Sequence, residues 1–304
     1  MLSATSTTRV CHTEAEPFHA AALFTTALAP RNHVGVVWAA ERRSLLARLW
    51  PGAAGAPAEA PYPGDGPPVF LSGCNRGGTS ILSLLLGQHP ELHNIGRGRH
   101  HEGQWIWNKR FYDWSHHRWA VEPWVRRMRK TSDDATPRLV AYFRRAFAAA
   151  CPSGRLLEKT PANAVRIPFI DRLYPDCYVI HVLRDGRHTA ASLIARGVKM
   201  PYAPQQWVGV HSIALPDLER LGPARGLLVR YEELLASPLE LLLRICRHCG
   251  LDEGPAAREA LATAIERHLE VPCDRWGALS STERQRILAI IGDLQQALGY
   301  PVEE

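Results

Sequence analysis

VFLSGCNRGGTSILSLLLGQ, residues Val69–Gln88, decides the architecture of this chain. Val69-Phe70-Leu71 is an apolar run of strand length, and Thr79–Gln88 is apolar over a helical length. Between them, Gly73, Gly77 and Gly78 let the backbone curl so that successive N–H groups point inward. The helix that follows adds the positive end of its dipole, and Thr79 and Ser80 add hydroxyls. A strand, a glycine turn and a helix in that order cradle a phosphate or a sulfate. Taken alone, the same stretch also reads as a tight turn without a ligand.

The alternation continues outward. Leu156-Leu157 sits in a second strand and Asn163–Leu173 in a helix. Tyr178–Leu183 (YVIHVL) is strongly β-prone and passes through Arg184-Asp185-Gly186 into a helix at Arg187–Arg196. Leu227-Leu228-Val229 is a further strand, followed by helices at Glu232–Leu235 and Pro238–Cys249. Ser280 caps a last helix reaching Leu298, with Glu283 as capping-box partner and Gly299 at its end. Strands alternating with helices imply an α/β fold of the P-loop type, three layers with a central parallel sheet flanked by helices.

Residues 51–67 (PGAAGAPAEAPYPGDGP) are dominated by Pro, Gly and Ala and read as a linker, with a helical stretch expected at Val37–Leu49. The expected organisation is an N-terminal helical and linker extension over 1–67 and one domain over 68–304. With 304 residues and 46% hydrophobic content, the chain is large enough for one α/β core and unlike a disordered one. No stretch reaches the ~18 consecutive apolar residues of a membrane span. The N-terminus carries Glu14 and Glu16 and has no basic segment ahead of an apolar one, so a cytoplasmic protein without a secretory signal is expected. Seven cysteines without a repeated spacing argue against a disulfide framework. Cys246 and Cys249 form a lone C-x-x-C inside an apolar helix; they read as buried thiols rather than zinc ligands, since a second ligand pair at metal spacing is missing.

The net charge of +6 suits an anionic ligand without choosing among nucleotide, nucleic acid and acidic sugar. The one dense basic run, Arg126-Arg127-Met128-Arg129-Lys130, reads as a solvated helix face or as a patch for an acidic substrate.

The glycine loop differs from the loop that binds nucleoside triphosphates, G-x-x-x-x-G-K-[ST]. Gly73, Gly78 and Ser80 match it. Thr79 stands where a lysine would reach the β- and γ-phosphates, which argues against triphosphate chemistry. A basic group sits earlier, at Arg76. A second element adds to this. Arg184 falls at the C-terminal tip of a β-run, beside the glycine loop, where α/β folds bind ligands. Ser192 lies about two turns into the next helix and can share an anion with Arg184. Two separated anion sites suit a nucleotide phosphorylated at both its 5′ and 3′ positions.

Together these residues resemble the sulfotransferase family that uses 3′-phosphoadenosine 5′-phosphosulfate (PAPS), in its bacterial, tyrosylprotein-like branch. The family's 5′-phosphosulfate loop, basic-S-G-T-[ST], corresponds to Arg76-Gly77-Gly78-Thr79-Ser80, and its 3′-phosphate motif to Arg184 and Ser192. In the same order come His89-Pro90, Glu158-Lys159-Thr160-Pro161, Arg230-Tyr231-Glu232-Glu233-Leu234, Arg275-Trp276 and Leu298-Gly299-Tyr300. The resemblance covers about Pro68–Pro301. Gly77 replaces the loop's usual serine, and Ile81 stands where many cytosolic members place a tryptophan.

The resemblance implies transfer of a sulfuryl group to a hydroxyl or amine, with adenosine 3′,5′-bisphosphate leaving. PAPS would be bound by Arg76, Gly77, Gly78, Thr79, Ser80, Arg184, Ser192 and Tyr231. Arg76, Lys159 and loop N–H groups would neutralise the leaving phosphate, so no metal ion is required. A general base must take the acceptor's proton, and the tyrosylprotein-like branch places a glutamate after His-Pro; Glu102 is the candidate here, with His101 or His100 as rival. The same segment carries Trp105, Trp107, Phe111, Tyr112, Trp114 and Trp119, which read equally as an acceptor pocket or as core. The expected acceptor is a small molecule, glycan or peptide; nucleic acid is not expected, and oligomeric state is not legible. The competing readings are a P-loop kinase or nucleotide-triphosphatase, and a non-catalytic anion- or nucleic-acid-binding module.

Overall fold

The computed structural model describes residues 62–98, 100–113 and 115–303. The helix expected at Val37–Leu49, with Arg99 and Trp114, lies outside the described residues.

Five strands build one sheet: β1 (Val69–Gly73), β2 (Leu92–Asn94), β3 (Arg155–Lys159), β4 (Tyr178–Leu183) and β5 (Gly226–Arg230). Their order is β2-β3-β1-β4-β5 and every neighbouring pair is parallel. Helices α1 (Thr79–Leu86), α2 (Gln104–Trp107), α3 (Val125–Met128), α4 (Pro137–Ala150), α5 (Ile167–Leu173) and α6 (Gly186–Ile194) are followed by α7 (Tyr202–Leu221). The C-terminal part adds α8 (Tyr231–Ala236), α9 (Pro238–Cys249), α10 (Pro255–His268) and α11 (Ser281–Ala297).

Period-two alternation sorts the strand side chains into two cores. Phe70, Leu156, Val179 and Leu183 pack with Phe143 and Phe147 of α4, Phe169 of α5 and Trp207 of α7. Val69, Leu71, Leu157, Ile180, Val182 and Val229 pack with Leu82 and Leu85 of α1, Leu242 of α9 and Leu261 of α10. Both faces of the sheet are therefore covered, as a parallel sheet requires, and the expected three-layer α/β fold is the one observed. The chain leaves β1 toward β2 and β3 on one side and reaches β4 and β5 on the other. The crevice at such a switch point lies beyond the C-terminal end of β1.

Local signals fixed several elements closely. β4 and α9 occupy the residues read from sequence, and Ser280 caps α11 in a reciprocal box with Glu283. Asn163–Leu173 is not one helix: Pro161–Val165 is a 3-10 turn and α5 starts at Ile167. Pro168 lacks the N–H a continuous helix would use, so it fits only within a first turn. The packed body also reaches back into the expected linker, where Asp65 exchanges hydrogen bonds with Gly154 (2.8 Å and 2.6 Å).

The basic run does not act as one face. Arg126 pairs with Glu122 on the surface, Arg129 grips the buried Asp217 (2.9 Å), and the half-buried Lys130 lies over the Phe111 ring. Cys246 and Cys249 are both buried in the second core, where burial pushes each thiol up to about 12. Among the described residues no helix is long and apolar enough to cross a membrane.

Beneath the glycine loop runs a buried polar chain. Ser72 Oγ lies 2.9 Å from His181 Nδ1, and His181 Nε2 lies 3.0 Å from His211 Nδ1. Burial holds the His181 imidazole down at about 3, and His211 well below its usual value. The unfolded chain therefore binds protons below pH ~6.5 that the folded chain refuses, and stability must fall as pH drops from there toward the folded value. At pH 5 this costs about 2 kcal/mol for His181 alone. The melting temperature is expected to fall between pH 7 and pH 5, with a shallower slope in His181→Gln; an unchanged slope in that variant would remove His181 as the cause.

Candidate active site

The C-terminal tips of four strands converge. β1 delivers the loop Cys74–Gly78, β3 delivers Lys159, β4 delivers Arg184 and β5 delivers Tyr231. Parallel pairing sets Leu71 beside Lys159 and Gly73 beside Val182, so these tips are neighbours before any side chain is placed.

Glycine is required at two points of the loop. Gly78 has φ +98°, and a β-carbon there would run into the Tyr231 ring. Gly73 has φ +153°, and a β-carbon there would press on the Val182 carbonyl and the Thr79 methyl. The loop closes through Gly77 N–H to Cys74 O (2.9 Å). Gly78 offers α1 no side-chain cap, so the first N–H groups of the helix are left for a ligand.

Arg76, itself at φ +67°, turns its Nε to Ser192 Oγ at 3.1 Å. Arg184 donates from Nη1 to Arg76 O (3.0 Å) and lies over the Tyr231 ring, 4.5 Å from its centroid. The loop, the β4 tip and the β5 tip thus form one braced unit. Asp185 is engaged elsewhere: it caps α6 and bonds Arg187 (2.8 Å) and Gln295 (2.7 Å). Burial works against its charge, but those donors still hold its carboxyl below the usual value.

On the β3 side, Lys159 has no exposed side-chain surface. Its Nζ donates to Ser80 Oγ (3.1 Å), to the His100 carbonyl and to Glu102 Oε1 (3.3 Å). Burial lowers the Lys159 ammonium, and Glu102 opposes that. Its neighbour Glu158 faces the opposite side of the sheet, fully buried, accepting from Thr160 and Asn163. Burial raises the Glu158 carboxyl against those hydrogen bonds. A β-carbon on Gly103 would strike this carboxylate, and Gly103 N–H bonds Lys159 O (3.0 Å), so the residue after Glu102 is pinned to β3.

Two cavities of about 250 Å³ each open here. One is lined by Arg76, Arg184, His188, Ser192, Cys273 and Arg275, with Glu270 at its wall. The other is lined by Asn75, Arg76, Thr79, Ser80, His100, Glu102, His117, Pro161 and Arg196. The two cavities share Arg76 as a common wall. Burial, and then the charges of Arg196, Arg275 and Arg184, lower the Arg76 guanidinium. Among the described residues none of these four arginines is ion-paired to a carboxylate. Together they make the two cavities electropositive, which suits an anionic ligand.

The structure thus brings Arg76, Gly77, Gly78, Thr79, Ser80, Glu102, Lys159, Arg184, Ser192 and Tyr231 to one place. His101 lines neither cavity, whereas His100 does, with its imidazole lowered first by burial. The aromatic segment divides. Trp107 and Trp119 are fully buried core, Tyr112 is exposed, and among the described aromatics of the segment the half-buried Trp105 reaches the site, in an outer groove with Arg97 (3.7 Å over its ring), Glu102 and Asn108. Asn75, His117 and Arg196 were missed. For Arg196 a signal existed: it stands one helical turn beyond Ser192, on the same side.

The sulfotransferase family model matches residues 67–255. A putative protein-tyrosine sulfotransferase of Caenorhabditis briggsae is 27% identical over 195 residues, covering 60% of this chain and 65% of that protein. The Drosophila melanogaster protein-tyrosine sulfotransferase is 24% identical over 198 residues, covering 61% and 38%. The matched part therefore spans between 38% and 65% of these relatives. Among solved structures, the sulfotransferase STF9 of Mycobacterium avium shares the fold, with a TM-score of 0.53 over 77% of each chain at 15% identity. The matched residues include the glycine loop, Lys159, Arg184, Ser192 and Tyr231, and the chain belongs to the sulfotransferase family.

Proposed function

We propose that this protein transfers a sulfuryl group from PAPS to a hydroxyl or amine of an acceptor. The observation that carries this reading is the pair of cavities sharing Arg76, which match a nucleotide with one anionic group at each end. Arg184, Ser192 and Arg275 would hold the 3′-phosphate. The loop N–H groups, Thr79 and Ser80 would hold the 5′-phosphosulfate. The donor supplies the reactive sulfuryl group; this chain's residues do the rest. Glu102, on the wall of the second cavity, accepts the acceptor's proton. Lys159 and Arg76 face the charge that grows as the bond to the nucleotide phosphate breaks. These residues already provide the positive charge, so the reading requires no metal ion. Asp185, the carboxylate a magnesium-dependent kinase would place at this strand tip, is occupied by Arg187 and Gln295, which disfavours that alternative. The acceptor cavity is lined by polar and charged groups, which suits a polar acceptor, peptide or glycan, more than a flat apolar one.

Adenosine 3′,5′-bisphosphate is expected to raise the melting temperature far more than magnesium-ATP, with EDTA without effect. A ligand at a hundredfold excess over its Kd stabilises by about 2.7 kcal/mol. Arg184→Ala is expected to abolish the preference for the 3′-phosphorylated nucleotide. A larger shift with magnesium-ATP, or an undiminished 3′ preference in the variant, overturns the assignment.

A further inference from the structure

α4 buries one face through Phe143 and Phe147 and leaves a second face half-exposed. On that second face Leu139, Tyr142 and Ala146 line a concavity of about 620 Å³ that shares no residue with the cavities of the active site. Their spacing, three residues and then four, is that of a seam between two packed helices. Arg138 and Arg145 each precede a seam residue by one, and Arg110 closes the concavity from the segment after α2. In a helix pair, the positions flanking the seam carry the charges that choose the partner.

All three arginines are exposed, and among the described residues none meets a carboxylate. Arg110 lies over the Tyr142 ring, 4.0 Å from its centroid, and bonds the Lys109 carbonyl (2.9 Å). Arg145 turns back to the Ala141 carbonyl of its own helix (3.2 Å). α4 contains no acidic residue.

We propose that this seam docks an amphipathic helix of a partner protein, one that presents apolar residues at three- and four-residue spacing flanked by carboxylates one heptad apart. The single sign of the rim requires an acidic partner. Arg138 and Arg145 rise from points about 10 Å apart along the axis, a match for two carboxylates seven residues apart and too far for one phosphate to bridge. Leu139, Tyr142 and Ala146 are half-buried against the first core, and a small anion would leave their remaining apolar surface in water.

The test uses the full-length protein and a fluorescent three-heptad peptide with leucine at its seam positions and glutamate beside them. The peptide is expected to bind, with affinity falling as salt rises. Binding should weaken roughly tenfold or more in Arg138→Glu/Arg145→Glu, at an unchanged melting temperature. The same peptide with lysine in place of glutamate should fail on the wild type and bind the double variant. The proposal is overturned if the glutamate peptide does not bind, if the variant binds it as well as the wild type does, or if inorganic pyrophosphate displaces it at equal concentration. Nucleotide binding plays no part in this readout, so its outcome is independent of the function proposed above.

Discussion

Glu102→Gln is expected to lower kcat by roughly 10²–10⁴-fold while donor affinity stays at the wild-type value. Glutamine keeps the shape of the side chain and an oxygen for Lys159 Nζ, which Glu102 meets at 3.3 Å. What disappears is the ability to take a proton. Glu102 does not line the cavity of Arg184 and Ser192, and glutamine leaves Thr79, Ser80 and the loop N–H groups of its own cavity in place, so donor binding should be retained. His101→Ala is the matched control, because His101 lines neither cavity, and its turnover should be near normal. Initial rates at saturating donor, with nucleotide affinity from melting shifts, separate the outcomes. Near-normal turnover in Glu102→Gln with a dead His101→Ala makes the histidine the base. If neither substitution matters, the base lies outside this segment, and only the donor half of the mechanism stands.

Arg76→Ala is expected to lose binding and chemistry together. Arg76 lines both cavities. A lost charge-assisted hydrogen bond predicts roughly ten- to hundredfold weaker donor binding. A lost cation at the breaking bond predicts a further 10²–10³-fold in kcat. The backbone helps to isolate the side chain's contribution. Arg184 bonds the carbonyl of residue 76, which survives the substitution, and alanine tolerates φ +67° poorly but without collision. Full affinity with reduced kcat would confine Arg76 to the leaving group; the reverse would confine it to the nucleotide.

What the sequence made legible follows a physical line. Features written locally were readable: the glycine turn between β1 and α1, the β-prone run of β4, the reciprocal cap of α11. The topology then brings four strand tips together, so residues at those tips could be placed without coordinates. α7 escaped because Pro204, Gly209 and Pro216 break its local signal, while burial of Trp207 and Val210 against the sheet overrides them. The tryptophans after His100 could not be sorted, because a ring that lines a pocket and a ring that fills a core obey the same preferences; only packing separates Trp107 from Trp105. Glu158 looked like one letter of a motif. Its role under Gly103 exists only once β3 and α2 are side by side.

The shared position of Arg76 has a further consequence. Its Nε donates to Ser192 Oγ, which lines the first cavity. Under the proposed reading, a nucleotide phosphate that takes over Ser192 would free that guanidinium, and the two cavities would be coupled through one side chain. By linkage, whatever factor the donor applies to acceptor affinity, the acceptor must apply to donor affinity. Under the proposed reading, one arginine lining both cavities would therefore couple donor and acceptor affinity by the same factor in each direction.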